Sequence, residues 1–131
     1  MHIDKEKRIW FSKEEMKVIT AVLHVLSYEM WKFEKSKEFR SIKIKFSCSL
    51  EDLKYVKDWF ASLYSECKDN TYIFLFESAS KRLEVIHIAL EKCFKNFKEY
   101  EVSDLGHITK KELNNVLKSF KKLSLELEKV E

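Results

Sequence analysis

Four times along this chain apolar residues recur at alternating steps of three and four, the spacing that holds one face of an α-helix against a core. The first stripe is Met16, Ile19, Leu23, Leu26, Met30 and Phe33, and the second is Leu53, Val56, Phe60, Leu63 and Cys67. The third runs through Leu83, Ile86, Leu90, Cys93 and Phe97, the fourth through Leu113, Val116, Phe120, Leu123 and Leu127. With no proline and one glycine in the chain, side-chain caps rather than breakers must delimit these helices. SKEE at 12–15 and TKKE at 109–112 are capping boxes, in which the hydroxyl accepts from a helical N–H and the glutamate reaches back to the N–H of the cap. SLED at 49–52 is a weaker version with aspartate in the last place.

Between the helices the period changes. SIKIKFS places Ile42, Ile44 and Phe46 on one face and Lys43 and Lys45 on the other, the pattern of a half-exposed edge strand whose lysines oppose edge-to-edge pairing. TYIFLFE, residues 71–77, is apolar on both faces and reads as a central strand. RIWF, residues 8–11, forms a third, short strand. The expected fold is α+β, with four amphipathic helices packed on a small two- or three-stranded sheet in the order β-α-β-α-β-α-α. The 131 residues, 45% of them hydrophobic, suffice for one core, so 1–131 is read as a single domain.

The longest apolar candidate, VITAVLHVLSYEMW, is interrupted by His24 and Glu29, so no membrane span is expected. The opening MHIDKEKRIW lacks the apolar stretch of a signal peptide. Cys48, Cys67 and Cys93 stand far apart with no CxxC pair, which suits a reducing, cytoplasmic setting better than a disulfide framework or a zinc site. The net charge of +3 is unevenly spread: residues 1–48 carry 11 Lys/Arg against 7 Asp/Glu, whereas 49–100 carry 8 against 9 and 101–131 carry 6 against 6. Lysine outnumbers arginine 22 to 3, which disfavours bidentate reading of guanine edges while leaving phosphate contact open.

At 100° per residue the face of the first helix opposite its apolar arc lines up Lys13, Lys17, Thr20, His24, Tyr28, Trp31 and Lys35. A stripe of rings and ammonium groups suits a protein interface, in which aromatics carry much of the binding energy. It equally suits intramolecular packing, or a single-stranded nucleic-acid platform extended by Lys43 and Lys45. The second helix offers a less basic version in Tyr55 and Trp59.

Residues 93–117 contain a helix-loop-helix pattern around the lone glycine. Phe97 and Tyr100 end the first helix, Gly106 takes the sixth loop place, Ile108 the eighth and Glu112 the twelfth, and Leu113, Val116 and Leu117 open the second helix. In this spacing the segment resembles an EF-hand, which implies a sharp turn at Gly106 and bidentate calcium ligation by Glu112. The ligand ring departs from the family: Glu101 stands first, Ser103 third, and Leu105 in the fifth place cannot coordinate. Gly106 is therefore read as a turn and Glu112 as the partner of Thr109 in its capping box, with no metal and no cofactor expected.

No GxSxG, P-loop, HExxH or GxGxxG motif occurs, and His2, His24, His87 and His107 fall on different elements. No catalytic residue is assigned. The expectation is a non-catalytic regulatory or inhibitory protein that binds another protein, or its own copy, through Lys17, His24, Tyr28, Trp31, Lys35, Tyr55 and Trp59. The alternative is nucleic-acid binding by the basic and aromatic face of the first helix. Calorimetric titration with millimolar calcium should give no heat of binding; a saturable heat would restore the EF-hand ligand set.

Overall fold

The computed structural model describes residues 1–34, 50–67, 69–74, 77–100 and 108–130. Its elements are β1 (His2–Ile3), β2 (Arg8–Ser12), α1 (Lys13–Glu34), α2 (Leu50–Glu66), β3 (Asn70–Phe74), α3 (Glu77–Lys95), the single turn α4 (Phe97–Tyr100) and α5 (Lys110–Val130). The fold is α+β, with four long helices against a three-stranded antiparallel sheet of order β1-β2-β3. The four long helices and the strands β2 and β3 fall at the places expected, and the hairpin strand β1 is added ahead of them. The edge strand expected at 42–46 and the cap at Ser49 lie outside the described residues, as does Cys48.

β1 and β2 form a hairpin in which Asp4 N–H donates to the Arg8 carbonyl at 3.0 Å, leaving Lys5, Glu6 and Lys7 as the loop. Lys7 closes it with φ of 60°, the left-handed conformation that three-residue hairpin loops demand of their last residue. β2 then pairs along its other edge with β3, placing Ile9 opposite Ile73 and Trp10 opposite Tyr72. Alternation sends Ile9, Phe11 and Ile73 into the core.

β2 runs into α1 without a loop. Ser12 is both the last strand residue and the helix cap: its hydroxyl accepts from Glu15 N–H at 3.2 Å, while the Glu15 carboxylate accepts from Ser12 N–H at 2.9 Å. Thr109 and Glu112 repeat the arrangement ahead of α5, with the Glu112 N–H donating to the Thr109 hydroxyl at 3.1 Å. α1 lies at the centre, packed against α2, α3, α5 and β2. Met16, Ile19, Val22, Leu23 and Leu26 are fully buried on it, meeting Leu53 and Phe60 of α2, Ile86 and Leu90 of α3, and Leu113 and Phe120 of α5 in one core. Phe11 and Phe60 meet edge to face, with centroids 5.6 Å apart.

Two expectations change. β3 is not buried on both faces: Tyr72 and Phe74 are 38% and 48% exposed, because the described helices cover the opposite face of the sheet and the double-sided apolarity of the strand feeds an aromatic surface instead. Nor is β3 the central strand: among the described residues the order β1-β2-β3 places β2 in the centre and β3 at an edge.

Ser12→Ala and Thr109→Ala should each lower stability by about 1 kcal/mol through loss of a cap. Leu23→Ala should cost about 2–5 kcal/mol, because α1 cannot collapse toward several neighbours at once. Urea unfolding of the three variants checks the ranking; equal losses would contradict it.

Candidate functional site

The outward face of the sheet gathers residues that share strand parity. Arg8 and Trp10 come from β2, Tyr72 and Phe74 from β3, and His2 from β1, which is in register with Trp10. Trp10 and Tyr72 lie 4.8 Å apart between ring centroids, Tyr72 and Phe74 meet edge to face at 5.4 Å, and His2 stacks parallel to Trp10 at 6.4 Å. The Arg8 guanidinium lies over two of these rings, 5.5 Å from the Trp10 centroid and 5.3 Å from that of Tyr72.

Asp4 fixes this arrangement from the hairpin loop. One carboxylate oxygen accepts from the Trp10 indole N–H at 2.8 Å and from Arg8 Nε at 2.7 Å. The other accepts from the backbone N–H groups of Glu6 and Arg8 at 2.9 and 3.0 Å. With four donors aimed at it, led by the indole, the Asp4 carboxyl is held well below the usual carboxylate range despite partial desolvation. The Glu6 carboxylate lies 3.2 Å from the Arg8 guanidinium, so two acids face this arginine. The result is an aromatic platform whose cation is answered within the same hairpin.

The helical residues expected to bind a partner divide. Lys17 and His24 of α1 line a groove of about 380 Å³ together with Thr20, Ala21, Lys57, Ala61 and Tyr64. Tyr28 stands half exposed one turn beyond. The side chain of Trp31 and the residues Lys35, Lys43 and Lys45 lie outside what is described. On α2, the Tyr55 hydroxyl accepts from an Arg82 guanidinium N–H at 2.9 Å, and that guanidinium lies over the rings of both Tyr55 and Trp59. Arg82 belongs to α3, so Tyr55 and Trp59 help to join two helices while Tyr55 keeps 57% of its surface exposed.

Cys93 is buried, its thiol 3.8 Å from the Val22 carbonyl oxygen, whereas His87 packs against the Phe120 ring at the margin of the core. His87 Nε2 comes within 3.4 Å of the Glu91 carboxylate without hydrogen-bond geometry. No group of three or more His, Cys, Asp or Glu among the described residues could hold a metal ion. Gly106 lies outside them, while Glu112 serves its capping box.

Sequence reading missed the platform. Its signal was present in the i, i+2 pairs Arg8/Trp10 and Tyr72/Phe74, but the pairing of two strands about 60 residues apart brings them together. Comparison with protein-family models, with characterised proteins and with solved structures found no match for this chain.

A carboxyl whose folded pKa is depressed contributes stability above its unfolded pKa, about 3.9, and that contribution is lost as pH falls from there toward the folded value. The wild type should therefore lose stability below about pH 4. Trp10→Phe, which removes the indole donor and keeps a ring, should raise the Asp4 pKa and shrink this acid-dependent loss. Carboxyl carbon NMR titration reads both; a wild-type Asp4 titrating at its ordinary value would contradict the geometry.

Proposed function

We propose that this chain is a non-catalytic regulatory or inhibitory protein that docks on another protein through the aromatic face of its sheet. One observation carries the reading: rings are exposed side by side on a rigid hairpin-anchored surface, and the arginine among them is paired with Asp4 and Glu6. Exposed aromatics with a pre-ordered arginine are what interface hot spots are made of, since little rotamer entropy is left to lose on binding. A nucleic-acid platform needs the same rings but surplus positive charge, because released counterions drive binding to the phosphate backbone. The internal pairing of Arg8 favours a partner surface that is apolar and near neutral. Cys67 and Cys93, neither of them in a disulfide, fit a reducing, cytoplasmic setting, and no helix among the described residues is long and apolar enough to cross a membrane.

Tyr72→Ser/Phe74→Ser changes outward-facing side chains and should leave the fold intact. Extract of the native host passed over immobilised wild type should yield a protein that the variant does not retain. Its retention should change little from low to high salt, and the purified partner should bind wild type at least about tenfold more tightly, the effect of losing one hot spot of about 2 kcal/mol. Equal retention by both would sink the proposal. Nuclease-sensitive material whose retention falls steeply with salt would favour the nucleic-acid reading through helix α1, and retention of the chain's own copy alone would make the partner a second subunit.

A further inference from the structure

We propose that the groove between α1 and α2 is a binding site for a small ligand bearing an oxyanion group, a phosphate ester or a dicarboxylate. The proposal is independent of the sheet face. The volume of about 380 Å³ falls among small-molecule pockets, which run from about 300 to 1,000 Å³. From α1 come Lys17, Thr20, Ala21 and His24, and from α2 come Lys57, Ala61 and Tyr64, each set at steps of three and four so that its members share one helix face. Ala21 and Ala61 leave space between the helices, and longer polar side chains rise around it. Among the described lining residues there are two lysines, a histidine and two hydroxyl groups, and no carboxylate.

Two of the polar groups, Lys57 and Thr20, can turn to a ligand. Lys57 Nζ lies 3.6 Å from Asp58, whose side chain is largely exposed, and such a solvent-screened pair yields readily to a better-placed anion. A threonine hydroxyl inside a helix commonly bonds to the carbonyl four residues back, yet Thr20 Oγ1 is buried without a hydrogen-bond partner. To meet an anion in the groove that buried hydroxyl has to rotate about χ1, while the lysine ammonium groups act as point charges. The groove on the other flank of α1, against α5, has the opposite sign: Glu14, Glu15 and Glu112 line it, two of them committed to capping boxes. Helix α1 thus separates a basic groove that accepts an anion from an acidic one that repels it.

The probes are O-phosphoserine, inorganic phosphate and succinate, each titrated against sodium chloride of matched ionic strength and followed by amide NMR and thermal unfolding. Saturable shifts are expected at residues 17–24 and 57–64 with at least one probe. Response to the phosphates alone assigns a phosphate ligand, and response to succinate alone a dicarboxylate. Lys17→Ala/Lys57→Ala should weaken binding by at least about tenfold, as expected for losing charge-assisted contacts, whereas Lys118→Ala/Lys121→Ala, which line a different groove between α3 and α5, should not. Thr20→Val, nearly isosteric, should weaken it severalfold and tests the site even if the double variant fails to fold. Shifts no larger than those with chloride, wild-type affinity in either groove variant, or equal weakening by both lysine pairs would overturn the proposal.

Discussion

The burial of α1 is the constraint on which the rest of the molecule depends. A helix that meets three other helices and a strand must be apolar over most of its circumference, and Val18, Ala21, Val22 and Val25 widen the three-and-four stripe to meet that need. Little of its surface is left for water, and that remainder carries Lys13, Lys17, His24 and Tyr28. Because β2 passes directly into α1 at Ser12, the orientation of the helix also sets that of the sheet. The cap therefore acts on two levels, satisfying helix N–H groups and fixing the angle at which the strands leave the core.

The open side of the sheet follows from that placement. An antiparallel sheet tolerates one solvated face, and here that face is aromatic rather than simply polar. Asp4 makes the arrangement durable by closing the hairpin, orienting the indole of Trp10 and holding Arg8 over two rings. Removing any one donor leaves the others on the same carboxylate, so the surface is ordered by a connected set of bonds rather than by a single contact. The basic groove beside α1 arises differently, from the meeting of two helix faces that carry alanines where closer packing would need bulk.

Much of the fold was legible because its signals are local. Ser12–Glu15 and Thr109–Glu112 form their reciprocal caps within four residues, and among the described side chains the apolar stripes are buried, except that Leu63 and Cys67 at the end of the second are only partly covered. RIWF alternates over a distance short enough to reveal a strand. The candidate sites were less legible. Lys17 and His24 could be placed on one helix face, but nothing local joins them to Lys57 and Tyr64. Tyr55 and Trp59 could be read as exposed, but not as lying against Arg82. TYIFLFE was misread as doubly buried because apolarity on two faces does not say what covers each face, and exposed tyrosine and phenylalanine satisfy the same pattern as buried residues.

By itself the sequence determined which segments are helices, where two of them start, which of their faces turn inward and that strands accompany them. Those properties depend on dihedral preference, capping and side-chain period, each decided within a few residues. Only the tertiary structure decided that Arg8 and Trp10 lie beside Tyr72 and Phe74, and that Lys17 shares a groove with Lys57. These neighbours are separated by 40 to 66 residues, and their meeting is set by how four apolar stripes pack around one another, a balance spread over the whole core that no short stretch encodes.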